Sequence, residues 1–241
     1  MKKAQALTAI VALAAPALVI AEPLPNGWSG DIGAGYIASN GNTKSSSANA
    51  KLSLIYTQDA WQNNFLATAL GTTSEGESTG EQYNVADKLS YDFTPNDYVL
   101  GSVEWFKDLD GAIGRRTVES VGYGRHVLNG PLHTLDLEAG IGARQEVVNV
   151  TNERNNNLIG RFAGKYSWKI SDTSAFNEAL KIETGSSDTF TESITELKVN
   201  VVKNIFASLS YTFRHNSTVP SDTGKTDTIT ALNLSYAFGA K

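Results

Sequence analysis

Over residues 226–238 the chain changes character at every step: Thr228, Thr230, Leu232, Leu234, Tyr236 and Phe238 alternate with Ile229, Ala231, Asn233, Ser235 and Ala237. A period of two is that of an extended strand, whose successive side chains leave opposite faces. The preceding stretch repeats it, with Ile205, Ala207, Leu209, Tyr211 and Phe213 on one side and Ser208, Ser210, Thr212 and Arg214 on the other. Thr195, Leu197, Val199 and Val201 oppose Glu196, Lys198 and Asn200, while Leu158, Gly160, Phe162, Gly164, Tyr166 and Trp168 oppose Arg161, Ala163, Lys165 and Ser167. Leu135, Leu137, Ala139 and Ile141 likewise oppose Asp136, Glu138, Gly140 and Gly142. One segment is ambiguous: residues 171–183 also read as a short amphipathic helix with Phe176, Ala179 and Leu180 on one side.

Turn-forming residues interrupt the alternation at 41–43, 58–60, 74–80, 94–97, 108–114, 128–131, 148–154, 169–174, 185–187, 203–204 and 216–224. They leave about twelve strands of roughly 10 to 15 residues, longer than the roughly 5 or 6 usual in soluble sheets. Every second break tends to be a longer polar loop, and those between tend to be tighter, an asymmetry typical of membrane barrels. Tyr and Trp gather near predicted strand ends, at Trp28, Tyr56, Trp61, Tyr91, Tyr98, Trp105, Tyr166, Trp168, Tyr211 and Tyr236, where amphipathic rings suit the lipid headgroup level. Alternation alone also fits a periplasmic β-sandwich. Lipid favours closure, because only a closed sheet satisfies every backbone group without water. The predicted architecture is all-β, a single transmembrane antiparallel up-and-down β-barrel of about twelve strands.

Residues 1–21 stand outside this pattern. Lys2 and Lys3 precede a small and apolar stretch, interrupted by Gln5, Thr8 and Pro16, that ends at Ala21 before Glu22. This is the form of a secretory signal peptide cleaved after Ala21, which leaves residues 22–241 as an exported barrel domain. The outer membrane is the expected destination.

Composition narrows the classes further. Beyond residue 21 no apolar run approaches the roughly 20 residues of a spanning helix. With 9 Tyr, 9 Phe and 4 Trp and only 19% charged residues, the 241-residue chain is not of disordered type. It has no Cys, so neither disulfides nor a lipoprotein anchor contribute. Loss of Lys2 and Lys3 takes the 20 basic residues to 18 against 25 acidic ones, a net charge of -7. Such a chain has no general affinity for nucleic acid.

Charges on the polar faces would line the barrel lumen, where opposite signs can pair or meet water. The candidates are Asp31, Lys51, Lys88, Glu104, Asp136, Glu138, Arg144, Arg161, Lys165, Lys181, Glu183, Glu196, Lys198 and Arg214. Asp87 and Glu178 fall on the apolar face instead, and the cost of a carboxylate there predicts either a bulge that shifts the register or a different strand assignment.

Catalytic patterns are weak. His126, His133 and His215 are far apart, and no zinc-binding spacing exists. His215, Asn216 and Ser217 contain the residue types of an esterase, but consecutive strand residues alternate faces and do not converge. Asp136 and Glu138 share a face and fit a lumen ion-pair network better than acid–base chemistry. The Gly-x-Gly runs at 33–35, 122–124 and 140–142 lack the frame of a phosphate loop. No cofactor or metal is expected.

The residues also resemble a known family. Trp28-Ser29-Gly30, Gly33, Gly35 and then Ser39-Asn40-Gly41-Asn42-Thr43-Lys44-Ser45 look like the opening of the YdiY-type salt-induced outer membrane proteins, a domain family of unknown function. The likeness continues through Trp61, Thr94-Pro95-Asn96-Asp97-Tyr98, Gly122-Tyr123-Gly124, the stretch from Leu135 to Arg144, and Glu153-Arg154. It implies an outer-membrane barrel and no activity; a salt response is suggested by the family label alone. Barrel strands are commonly recognised for insertion by a final strand with an aromatic residue near its end, and Leu234 to Phe238 has that form, though Gly239, Ala240 and Lys241 follow. Outer-membrane lipid and the barrel-assembly machinery are thus the expected partners. The function expected is a narrow pore or envelope-stress structural protein, not an enzyme. The alternatives are a receptor or adhesion barrel, a lipid-hydrolysing barrel, and a soluble periplasmic β-sandwich binding protein.

Overall fold

A computed structural model of the chain describes residues 26–39, 45–75, 77–149, 151–219 and 224–239. The predicted signal peptide and the 41–43 turn lie outside the described residues. Twelve strands follow one another: β1 (Gly27–Ser39), β2 (Ser45–Gln58), β3 (Trp61–Ser74), β4 (Glu77–Asp92), β5 (Asp97–Asp108) and β6 (Ile113–Asn129). Then come β7 (His133–Val148), β8 (Arg154–Lys169), β9 (Ser174–Gly185), β10 (Thr189–Val202), β11 (Ile205–Asn216) and β12 (Thr226–Gly239). Each pairs antiparallel with its neighbours in sequence, and β1 meets β12 from Ser29↔Gly239 to Ala34↔Leu234. The sheet therefore closes. Among the described residues every strand has a neighbour on both sides, the β1–β12 seam being the shortest ladder, and this closure excludes the open two-sheet sandwich.

The wall is inverted relative to a soluble protein. Leu158 is 84% exposed and Ile141 70% on the outer face, with Leu209, Leu232, Leu234, Val121 and Val199 exposed around them. Contiguous apolar surface on this scale would drive aggregation in water and suits a hydrocarbon surround. The opposite parity carries the polar groups: Arg144 and Glu183 are fully buried inside. At the end of the barrel where β1 begins and β12 ends, here the terminal end, Trp28 packs on Tyr56 and Trp61 on Tyr91, each at 4.8 Å between ring centroids. His133 stacks between Tyr166 and Trp168 at the same end, at 6.0 and 5.8 Å. Tyr98 corrects the predicted girdle. It points inward and is 3% exposed, because β5 continues the parity of Leu100 and Ser102 rather than that of Val99.

Three further expectations change. Residues 174–185 form a strand, paired with both β8 and β10, so the helical reading of residues 171–183 is wrong; the two ladders satisfy the backbone that a helix would have satisfied internally. The expected loop at 74–80 is mostly sheet, since a register shift between Thr72 and Thr73 lets the polar residues from Glu77 onward join the ladder. Asp87 and Glu178 lie on the outer face with no bulge beside either, so the predicted register shift is absent. Lateral hydrogen bonds offset their cost instead. Asn63 donates to both Asp87 oxygens at 3.0 and 3.1 Å, and Ser193 and Thr195 donate to Glu178 at 2.7 and 2.5 Å. Glu119 joins them on the outer face, exposed between the inward Val118 and Ser120.

Candidate functional site

The inward parity of twelve strands brings charges from distant parts of the sequence into one enclosed volume. In the half of the lumen away from the start of β1 and the end of β12 they form a dense plug. Lys181 on β9 reaches Glu104 on β5, at 3.0 and 2.7 Å, with three strands of wall between them, and also contacts Glu192 on β10 at 3.2 Å. Arg214 on β11 donates to Glu192 at 2.7 Å and to Gln82 on β4 at 3.1 Å. Arg116 on β6 donates to Glu146 at 2.6 Å and to Asn216 at 2.8 Å. Its guanidinium lies 4.0 Å from the Phe190 ring centroid, and Arg214 covers Phe106 at 4.9 Å. Stacking the planar guanidinium on a ring face removes water from both, which a flexible ammonium does less well.

Arg144 and Glu183 sit at the centre of this plug. Arg144 pairs with Asp188 in the β9–β10 loop and lies 3.5 Å from Glu146. Glu183 is 3.9 Å from Arg144 and 4.0 Å from Arg161, beyond hydrogen-bond range, so its carboxylate is held by charge rather than by direct donors.

Toward the terminal end the lumen is looser. Glu138 accepts from Lys88 at 2.5 Å, Tyr98 at 3.0 Å and Arg161 at 3.3 Å. Asp136 meets His126 Nδ1 at 2.7 Å, Lys198 approaches Asp31 at 3.7 Å, and Lys51 approaches Glu196 at 3.8 Å. Lys165 stands opposite Asp136 and Ala179 in the ladders, exposed to the lumen, and among the described residues it makes no hydrogen bond or salt bridge. A cavity of about 190 Å³ has the charged lining Lys88, Asp136, Glu138, Arg161, Lys165, Lys181 and Glu192. The twelve charges Asp31, Lys51, Glu104, Asp136, Glu138, Arg144, Arg161, Lys165, Lys181, Glu196, Lys198 and Arg214 thus share the inner face, in two groups. Glu104, Arg144, Lys181 and Arg214 belong to the plug, Arg161 bridges to it, and the rest border the looser half.

The sequence reading missed Arg116, Glu146 and Glu192, and with them Phe106, Phe190 and the loop residue Asp188. A usable signal existed: Glu192 has the parity of Glu196 and Lys198, and Glu146 that of Glu138 and Arg144. Among the described residues no group of three His, Cys, Asp or Glu side chains is arranged to hold a metal ion. The esterase-like trio disperses: His215 bonds Thr226, Asn216 accepts from Arg116, and Ser217 accepts from the Thr189 amide.

Similarity to known proteins agrees with this architecture. The chain is 30% identical over 211 residues to the uncharacterized protein YdiY of Escherichia coli (strain K12), covering 87% of this chain and 83% of that protein. Among solved structures, the NanC porin has a TM-score of 0.53 at 11% identity, with 88% of this chain and 100% of that chain covered. The COG4313 outer membrane channel from Pseudomonas putida F1 has a TM-score of 0.51 at 12% identity, with 90% and 97% covered. At such identities these two report the fold. The family model described as "Protein of unknown function, DUF481" matches residues 32–238, nearly the whole barrel, and the chain belongs to that family.

Proposed function

We propose that this protein is an outer-membrane barrel whose side-chain-filled lumen passes only small ions, a narrow conduit and not an enzyme or an open diffusion pore. The observation that carries this reading is the bridge from Lys181 to Glu104, which ties parts of the wall with three strands between them, with Glu192 and Arg214 completing the span. A solute larger than a hydrated ion would have to break several buried charge pairs to pass. Each such break strands an uncompensated charge, at a cost of about 3–5 kcal/mol. The chain reaches the membrane through a signal peptide cleaved after Ala21, and β12, ending in Tyr236-Ala237-Phe238, presents the insertion signal to the assembly machinery.

Recording from the folded protein in planar bilayers tests the conduit. Small conductance is expected from the natural sequence, and a clear increase from Glu104→Ala combined with Lys181→Ala, which opens the span without leaving a lone charge. A wide, general-porin conductance in the natural protein would refute the reading. So would recovery of the protein in the soluble periplasm. The lipid-hydrolysing alternative draws no specific support, since His215, Asn216 and Ser217 face separate partners.

A further inference from the structure

We infer that the looser half of the lumen holds a binding site for a small multivalent oxyanion, of the phosphate or dicarboxylate class, centred on Lys165 and flanked by Lys88, Lys51 and Arg161. The first argument is local charge balance. Lys88 and Arg161 both draw on Glu138, Arg161 having only the more distant Glu183 besides, and Asp136 is engaged by His126. Among the described residues Lys165 makes no hydrogen bond or salt bridge, and Asp136 and Glu138 act on it only as nearby charges. Its electrostatic neighbours include Lys88 and Lys51, two more cations, besides Asp136 and Glu138. Lys51 is held only at 3.8 Å from Glu196. The charged lining of the adjoining cavity is four cations, Lys88, Arg161, Lys165 and Lys181, against three carboxylates, Asp136, Glu138 and Glu192.

The second argument is enclosure. Lys165 is open to the lumen yet surrounded by the barrel, so its charge is screened less than that of a surface lysine. The strands fix the bases of these side chains on a rigid sheet: Lys51 on β2, Lys88 on β4, Arg161 and Lys165 on β8. Lys ammoniums are mobile point charges that adapt to an anion of either geometry. The adjoining cavity, about 190 Å³, lies below the roughly 300–1,000 Å³ of pockets for drug-sized molecules. It admits a phosphate or a small dicarboxylate and not an oligosaccharide. The plug above it, from Lys181 to Arg116, narrows the far side below the size of such an anion, so the site is entered from the terminal end.

The inference deepens the narrow-conduit reading, and the experiment separates the two. Inorganic phosphate is titrated into the detergent-folded full-length protein, and binding is followed by calorimetry and by the phosphorus line width in nuclear magnetic resonance. Saturable binding is expected. Lys165→Gln should weaken it by at least about tenfold, the worth of one charge-assisted hydrogen bond, while Lys165→Arg retains it. Glu138→Gln should tighten binding, because it frees Lys88 and Arg161 from their shared carboxylate, a gain that a merely destabilised barrel would not show. Lys107→Gln, on the outward parity of Val99 and Val103 in β5, should leave binding unchanged. No saturable phosphate binding by protein that still migrates as a folded barrel would overturn the site and leave the conduit reading standing. Equal affinity in Lys165→Gln, or weaker binding in Glu138→Gln, would overturn the site as well. Failure of the unboiled natural protein to migrate as a compact form would instead overturn the membrane-barrel reading itself.

Discussion

Gly124 shows what a single missing methyl can position. A Cβ built there would lie 2.2 Å from Tyr98 Cζ, so only glycine lets the Tyr98 ring lie flat against β6 and extend its hydroxyl to Glu138. Gly124→Ala is therefore expected to displace Tyr98 and to cost about 1–3 kcal/mol, the usual penalty of overpacking. The measurement is the temperature at which the folded band disappears on a semi-native gel. The outward acids give a second residue-scale test. Glu178→Gln can still accept from Ser193 and Thr195 and removes a charge from the lipid face, so it should fold at least as stably as the natural protein. Thr195→Val, which removes a donor from a carboxylate in a non-aqueous setting, should destabilise by about 1–3 kcal/mol. If Thr195→Val proves neutral while Glu178→Gln destabilises, the lateral hydrogen bonds are not what makes the acid tolerable.

At the scale of the element, β10 has the most to lose. Its inward residues Phe190, Glu192, Glu196 and Lys198 touch the plug and the looser half alike, and Glu192 serves two cations at once. Glu192→Ala leaves both Lys181 and Arg214 short of an anion and should cost about 3–5 kcal/mol, whereas Glu192→Ala joined to Arg214→Met should recover much of that loss. Denaturant titration of the folded protein in detergent measures both. β9 illustrates how far an element is legible beforehand. Phe176, Ala179 and Leu180 fit a helical stripe as well as a strand, because a 12-residue window with inward Ala and Asn has little contrast between faces. Membership of the strand was decided by two neighbours offering unpaired backbone, which no local pattern reports. The polar run from Glu77 is a similar case. Where a strand leaves the membrane both its faces are wet, alternation fades, and a ladder reads as a loop.

For the whole molecule, closure is the property to test. Unboiled protein should migrate faster than boiled protein on a detergent gel, since a closed hydrogen-bonded wall resists cold detergent; identical migration would argue against the barrel. The outer surface supports this expectation, with Leu158, Ile141, Val121 and Leu234 all directed away from the lumen. The plug makes the closed wall stiffer than an open pore of the same strand number, and removal of Glu104 and Lys181 together should lower the melting temperature less than removal of either alone.

The sequence by itself determined the period, and through it the strands, their limits to within a few residues and the face on which each of the twelve predicted inner charges lies. It could do so because side-chain direction in a strand depends only on parity, a local property of the backbone. Partnership is a different matter. Lys181 and Glu104 are 77 residues apart, Lys88 and Glu138 are 50, and Arg214 and Gln82 are 132. What brings them together is the ladder register multiplied around a closed wall, together with the curvature that points their side chains at one axis. That geometry exists only once β1 has met β12, and so the plug, the recess beside Lys165 and the inward turn of Tyr98 were decided by the tertiary structure alone.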